Sequence, residues 1–176
     1  MVVRLDAGRD AVRAYVAEQA GLGLAHVTSL VSGDRDRIVA AIGDLSEEEA
    51  TRVTKDGEWT PAQVLAHLSG GLDRALARLR AMSSGQTWAG PPITGGQGID
   101  SPARFEELRR RYTSGMQAII DVLQAANEAS GRDLTAEHAA YGAFTWLEWA
   151  VFSHHVHASD HIGQLGEARA RLKNEA

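Results

Sequence analysis

Histidine is the residue type whose placement in this sequence points most directly to chemistry. The chain holds seven histidines, and four of them fall within eight consecutive residues near its C-terminus, namely His154, His155, His157 and His161. In an α-helix, positions four residues apart lie one turn apart on the same face, with Cβ atoms about 6 Å from each other. The imidazoles of His157 and His161 are therefore spaced to bind one metal ion together.

A third ligand is expected from another helix, because catalytic zinc sites commonly combine three protein ligands with one open position. His67 is the candidate: it lies among apolar residues of a helical pattern and is followed by Gly70 and Gly71, where a neighbouring helix can approach closely. His154 precedes His161 by seven residues, which places it about 20° away in azimuth, as an alternative ligand or a residue that supports the ligands. Zinc and nickel are the ions that suit such imidazole ligands.

An ordinary explanation also exists, since two histidines at this spacing often form a solvated or hydrogen-bonded pair. Against it, His161 falls within an apolar stripe of the last predicted helix, and a buried imidazole without a partner loses its hydration. A metal ion is the simplest partner. The three remaining histidines, His26, His138 and His155, are expected at the surface.

No general base can be assigned from the sequence, although two polar residues neighbour the predicted ligands. Asp160 adjoins the ligand face, and Gln164 follows His157 by seven residues. Either side chain could orient a ligand or a bound water. For Asp160, an exposed carboxylate is the simpler expectation.

Other candidate catalytic residues lie on the earlier helices. Asp34, or Arg35 beside it, interrupts an apolar stripe at an interior spacing and could reach the cavity, although a polar side chain at the bundle edge is the commoner outcome. Arg74 follows His67 by seven residues, so it could meet an anionic group of a substrate or could be solvated.

The elements that must position these residues are predicted to be helices. Apolar residues three and four apart mark amphipathic helices over residues 24–45, 61–82, about 101–131 and 146–172, after a weaker helix at about 12–20. Thr60 and Ser101 each place a capping hydroxyl before a proline, and Thr145 begins a Ser/Thr-x-x-Glu capping box.

This pattern predicts an all-α fold, an antiparallel four-helix bundle with an extra N-terminal helix. A chain of 176 residues has the size of one domain, taken here as residues 1–176 with an N-terminal extension helix at 1–22. The Gly- and Pro-rich segment at 83–101 is long for a loop in a compact domain. It is expected to be a plain connector or a cover over the site.

Composition and charge exclude several classes of function. The 18 Lys and Arg residues against 23 Asp and Glu give a net charge of −5, which argues against a nucleic-acid partner. No apolar run approaches the roughly 20 residues that span a membrane, and the polar N-terminus does not read as a signal peptide, so a cytoplasmic protein is expected. Cysteine is absent, so the chain offers no thiolate ligand and no cysteine nucleophile.

Three segments together resemble a known family. They are EWTPAQVLAHL at 58–68, YGAFTWLEW at 141–149 and HASDHIGQL at 157–165. They resemble the DinB/YfiT-like superfamily of metal-dependent enzymes, and the resemblance spans most of residues 24–172. It implies a four-helix bundle that holds one divalent metal through histidines of the second and fourth bundle helices, which map to His67, His157 and His161. It also implies a homodimer.

The resemblance and the ligand set leave three functions open. Neutral imidazoles leave the metal its full charge and favour an anionic fourth ligand, either hydroxide or a thiolate. Because the family includes transferases that use bacillithiol, mycothiol or glutathione, and a mycothiol-dependent maleylpyruvate isomerase, a thiol-dependent S-transferase or isomerase acting on a small molecule is favoured. A hydrolase that uses metal-bound hydroxide is one alternative. A non-catalytic metal-binding stress or interaction protein is the other.

Overall fold

Helices form most of the secondary structure in the computed structural model, which describes residues 2–91 and 103–174. They are α1 (Arg9–Gly21), α2 (Leu24–Ile42), α3 (Glu47–Thr51), α4 (Pro61–Gly70), α5 (Leu72–Ser83), α6 (Phe105–Ala125), α7 (Trp146–Val151) and α8 (His157–Asn174). A 3-10 turn at Leu5–Ala7 precedes α1, and a π-helical segment at Phe152–Val156 joins α7 to α8. Two short strands, β1 (Thr135–His138) and β2 (Gly142–Thr145), form an antiparallel hairpin.

The predicted four-helix bundle is confirmed by the packing of these elements. Helix α2 packs against α6 and α8, while α4 and α5 together form a second long element that packs against α6 on one side and against α7 and α8 on the other. Helix α1 lies outside this bundle, on α2 and α7, as the extra N-terminal helix. Within the described residues, no helix combines the length and apolar character needed to cross a membrane.

The predicted apolar stripes face the core of the bundle. In α6, Leu108, Tyr112, Met116, Ile119 and Leu123 are all buried. The helix is amphipathic because these residues recur at every third or fourth position, so one face leaves water while the arginines between them remain outside.

The sequence signals for helix starts are reproduced where the structure describes them. Thr60 and Thr145 each accept a hydrogen bond from the backbone N–H three residues later, and the glutamine or glutamate there bonds back to the cap. Ser46 forms the same capping box with Glu49 at the start of α3. These reciprocal bonds satisfy backbone donors that the first turn of a helix leaves unpaired. The predicted start at Ser101 lies outside the described residues, and α6 begins at Phe105 after Arg104.

Three predicted helices differ from the structure in their extent. The helix expected over 61–82 is interrupted at Gly71, because consecutive glycines carry no side chains that favour helix. Helix α6 ends at Ala125 and does not reach 131. The helix expected over 146–172 changes to π geometry at Phe152–Val156, which the sequence does not signal.

The β-hairpin was not predicted. Each strand has only four residues, too few for an alternating pattern to stand out. The three-residue loop between the strands is followed by Gly142, the first residue of β2, whose φ of +79° lies in the left-handed region that glycine tolerates. The loop predicted at 83–101 is described as far as residue 91, without helix or strand after Ser83, and its remaining part lies outside the described residues.

Candidate metal centre

Three histidines from two helices meet at one point of the bundle. His67 lies in α4, while His157 and His161 stand one turn apart at the start of α8. The Nε2 atom of His157 is 3.0 Å from that of His67 and 3.1 Å from that of His161. The structure thus brings together the three residues that the sequence predicts as ligands, with one ligand atom from each within 4.8 Å of the others.

The spacing of these nitrogens fits a shared metal ion. Two imidazole nitrogens bound to one tetrahedral ion at about 2.0–2.1 Å lie about 3.4 Å apart. The observed 3.0 and 3.1 Å need only a small outward shift of the rings. Nitrogen lone pairs that face each other so closely repel unless a proton or a cation lies between them, so the cluster is suited to bind one.

The protonation state of the cluster also favours metal binding. Burial, together with the positive potential of His161, His67 and neighbouring histidines, lowers the pKa of His157 to about 3. Burial lowers the pKa of His161 as well, against smaller raising effects of Gln164 and Asp160. Both imidazoles are therefore neutral near pH 7, which is the form that donates a lone pair to a metal.

Gln164 fixes the orientation of one ligand. Its side-chain oxygen lies 3.1 Å from Nδ1 of His161. Because an amide oxygen only accepts hydrogen bonds, Nδ1–H of the imidazole must donate, and Nε2 is left with its lone pair toward the cluster. Gln164 is thus a positioning residue for His161, in line with one of the roles considered for it.

Asp160 bonds to the segment that precedes α1 and does not belong to the three-histidine group. Its carboxylate accepts a hydrogen bond from the backbone N–H of Leu5 at 3.3 Å and lies 3.8 Å from the guanidinium of Arg4. It therefore holds the segment before α1 against α8 and is not placed to act as a base. This agrees with the simpler expectation of an exposed carboxylate only in part, since three quarters of the side chain is covered.

Trp59 covers one side of the cluster and was not singled out as a site residue. Its ring stacks on that of His161, with an interplanar angle of 8° and centroids 5.8 Å apart. Its centroid is also 4.9 Å from that of His67. The indole therefore fixes the planes of two imidazoles and excludes water on that side. Its place one residue before the Thr60 cap was the signal available in the sequence.

His154 does not join the three-histidine group. It is buried, and its Nε2 has no hydrogen-bond partner. Burial and, to a smaller extent, the positive charge on Arg78 lower the pKa of His154 to about 4. His154 lies within the π-helical segment that precedes the ligands of α8, so the 100°-per-residue arithmetic of a regular helix does not apply between His154 and His161. Its predicted role as an alternative ligand is not supported by this position.

The expectation of surface positions for His155 and His138 was wrong. His155 is buried, with Nδ1 2.5 Å from Oδ2 of Asp34 and Nε2 2.9 Å from the hydroxyl of Tyr15. His138 is buried as well, and its Nδ1 accepts backbone hydrogen bonds from the turn of the hairpin. His26 is half-buried and bonds to Gln19.

The candidates on the earlier helices occupy different places from the metal centre. Asp34 is buried, as its interior spacing allowed, but it pairs with His155. Arg35 bonds to Asp36 and Gln117 on the outside of the bundle.

Arg74 is exposed to solvent, and the arginine of α5 that enters the interior is Arg78, which sequence reasoning missed. The only sequence signal for it was its place beside the buried Leu79. A charged residue at such a position is ordinarily read as part of the outer face.

The comparisons with known proteins fit this arrangement. The DinB superfamily matches residues 31–165, a range that includes His67, His157 and His161. The chain belongs to the DinB superfamily. Among solved structures, it is similar to YfiT from Bacillus subtilis, described as a probable metal-dependent hydrolase with an unusual four-helix bundle topology.

The similarity to YfiT concerns the fold. The two chains share 15% sequence identity with a TM-score of 0.66, over 85% of this chain and 87% of YfiT. Comparison with curated proteins gives no match to this sequence.

Proposed function

We propose that this DinB-superfamily chain is a divalent-metal-dependent enzyme whose ligands are His67, His157 and His161. The observation that carries the proposal is the convergence of three imidazoles from two helices on one point. Among the described residues, no further histidine, cysteine, aspartate or glutamate joins them. Structural zinc sites usually have four protein ligands, whereas a three-ligand set leaves a position for water or substrate. Zinc and nickel are the proposed ions.

The protein groups around this point have distinct tasks. A divalent ion held by neutral imidazoles lowers the pKa of a water or thiol in its open position and so supplies a nucleophile at neutral pH. His157 stays neutral because it is buried, Gln164 keeps the proton of His161 on Nδ1, and Trp59 shields the rings from water. Among the described residues, no carboxylate oxygen joins the three imidazole nitrogens at metal-ligand distance, and Asp160, whose charge acts on His161, bonds to the backbone of Leu5.

Hydrolysis is the reaction we propose first. It is supported by the shared fold with YfiT, for which a metal-dependent hydrolase activity is described as probable. A thiol-dependent transferase or isomerase is the second candidate, because the same neutral ligand set suits a thiolate and the chain has no cysteine to provide one. Bacillithiol, mycothiol and glutathione are the thiols to consider.

Metal analysis of the full-length protein, purified without an affinity tag, tests the site. One divalent ion per chain is expected in the wild type, with a marked loss after His67→Ala, His157→Ala or His161→Ala. His26→Ala is the matched control, because it removes an imidazole bonded to Gln19 outside the cluster, and it should leave the metal content unchanged. Full occupancy after His67→Ala would remove the proposed ligand set.

Cobalt-substituted protein separates the two reactions. A thiol that enters the open position should give a strong charge-transfer band in the near ultraviolet, which would favour the thiol-dependent reaction. If added thiols give no such band and the protein hydrolyses ester or amide substrates, the hydrolase is favoured. If the metal is bound but neither added thiols nor small anions change the cobalt spectrum, the open position does not exist and the enzymatic proposal fails.

A further inference from the structure

Arg78 is a buried charged residue that the metal centre does not use. Only 2% of its surface is exposed. Its guanidinium carbon lies 3.8 Å from the ring centroid of Trp149 in α7 and 5.6 Å from that of Trp88, which follows α5. Within the described residues it forms no ion pair, and its Nε and Nη2 atoms are buried with no hydrogen-bond partner.

The guanidinium remains charged in this position. Burial lowers the pKa of Arg78 to about 10, with a smaller contribution from the charge on Arg74, so the group is protonated at neutral pH. A buried cation is strongly unfavourable unless an anion or several hydrogen bonds compensate it, and aromatic faces compensate only in part. Among residues 2–91 and 103–174, no acidic side chain pairs with Arg78 to supply the counter-ion.

The unpaired atoms of Arg78 form one edge of a planar fork. Nε–H and one N–H of Nη2 point in the same direction from the guanidinium plane, at the spacing of the two oxygens of a carboxylate. The two nitrogens of Arg78 without partners, Nε and Nη2, are the pair that can donate one hydrogen bond to each oxygen of the same carboxylate. The close contact with Trp149 restricts the guanidinium, so the fork loses little freedom when it binds a planar anion.

A second unpaired group accompanies this fork. Nε2 of His154 is buried without a partner, and the charge on Arg78 acts on His154 and on His138, lowering the pKa of both beyond the effect of burial. These two histidines in turn act on the metal-site residue His157. His138 also packs beside the indole that Arg78 contacts, with its ring centroid 5.8 Å from that of Trp149, and His154 precedes His157 by three residues in the chain. These two histidines therefore connect the surroundings of Arg78 to the segment that carries the metal ligands.

We propose that Arg78, assisted by His154, binds the carboxylate of a small-molecule substrate whose reacting bond lies at the metal centre. The substrate class is an organic acid with its scissile or electrophilic group a short distance from the carboxylate. The catalytic half of this statement rests on the proposed function. Carboxylate binding itself does not, because Arg78 and His154 are outside the ligand set.

Carboxylate binding is tested with butyrate and with butyramide, which has the same shape without the charge. Tryptophan fluorescence reports binding, since Trp149 and Trp88 face the guanidinium, and thermal melting provides an independent readout. The full-length protein is measured both metal-loaded and metal-stripped, because a carboxylate could also bind the metal. In both forms, butyrate should bind at least tenfold more tightly than butyramide and should raise the melting temperature.

Variants of Arg78 assign the binding to this residue. Arg78→Met should weaken butyrate binding at least tenfold and, in carboxylate-free buffer, should melt above the wild type, because it removes an uncompensated buried charge. Arg78→Lys keeps the charge but loses the fork and should also bind more weakly. Arg74→Met, one turn away and exposed, is the matched control and should bind butyrate like the wild type.

Three outcomes would overturn the proposal. They are equal binding of butyrate by Arg78→Met, equal binding of butyramide by the wild type, and displacement of butyrate by chloride or phosphate at the same concentration. The last result would show a site for inorganic anions. The two proposals can also fail separately. If the wild type binds no metal but binds butyrate, and both Arg78 variants lose that binding, the carboxylate site is supported and only the metal-dependent function is refuted.

Discussion

The buried contact between Asp34 and His155 allows a quantitative prediction about stability. The carboxylate and Nδ1 of the imidazole are 2.5 Å apart, and each side chain is at most 4% exposed. Because Nδ1–H donates to the carboxylate, Nε2 accepts from the hydroxyl of Tyr15 at 2.9 Å. Burial and the charge of Asp34 raise the pKa of Tyr15, which keeps this hydroxyl protonated. The contact joins α1, α2 and the π-helical segment.

Removing either partner has unequal consequences. In His155→Ala, the ion-pair partner that the described residues leave to the buried carboxylate of Asp34 is Arg37, which is 3.1 Å away and 63% exposed. Leaving a buried charge in this way costs about 3–5 kcal/mol. In Asp34→Ala, the Nδ1–H of His155 loses its acceptor while Nε2 keeps the hydroxyl of Tyr15, so the cost is about 1–3 kcal/mol for an unpaired polar group. The free energy of unfolding should therefore fall more in His155→Ala than in Asp34→Ala.

Urea unfolding of metal-stripped protein at pH 7.5, followed by circular dichroism, measures these changes. The double variant should be less destabilised than the sum of the two single variants, with a coupling of about 1–3 kcal/mol. Asp34→Asn retains a hydrogen-bond acceptor and provides a milder third variant. Asp36→Ala, at an exposed neighbouring position, should change stability by no more than about 0.5 kcal/mol.

Two results would refute this reasoning. If the effects of His155→Ala and Asp34→Ala add within about 0.5 kcal/mol, the two groups do not interact in solution. If Asp34→Ala is the more damaging substitution, the carboxylate is not the group whose charge needs the partner.

Three further predictions concern the metal site and its surroundings. Gln164→Leu should weaken metal binding by about 10- to 100-fold, because His161 loses the partner that orients it. A competition titration with a chelator measures the affinity, and an unchanged affinity would show that Gln164 does not orient the ligand. Metal at about 100 times its dissociation constant should stabilise the fold by about 2.7 kcal/mol and raise Tm by about 2–4 °C for each kcal/mol, whereas His67→Ala should show no such rise. His154 has its pKa lowered from 6.5 to about 4 in the fold, so the unfolded chain takes up this proton first as the pH drops. In metal-stripped protein, His154 alone therefore removes up to about 3 kcal/mol of stability between pH 6.5 and 4, in addition to the loss from His157, whose pKa is also lowered. His154→Gln should flatten this part of the pH dependence of urea midpoints, and an unchanged slope would contradict it.

The sequence by itself determined the features that depend on neighbours along the chain. Helix starts such as Thr60 and Thr145 were predicted because a cap acts on the backbone three residues later. The pairing of His157 with His161 was predicted because one turn of helix fixes the distance between them. The choice of His67 as their partner depended on the family motif as well as on its apolar surroundings.

The tertiary structure alone decided which polar side chains are buried and what they meet. His155 and Asp34 are 121 residues apart in the chain, so no local pattern shows that a carboxylate compensates this histidine. The π-helical turn shifts the azimuth of every residue after it, which invalidates the placement of His154 by regular helical geometry. Arg78 reads as an outer-face residue in sequence, but the packing of α5 against α7 turns it onto Trp149. In each case, the energy of the side chain is set by groups that folding brings from distant segments.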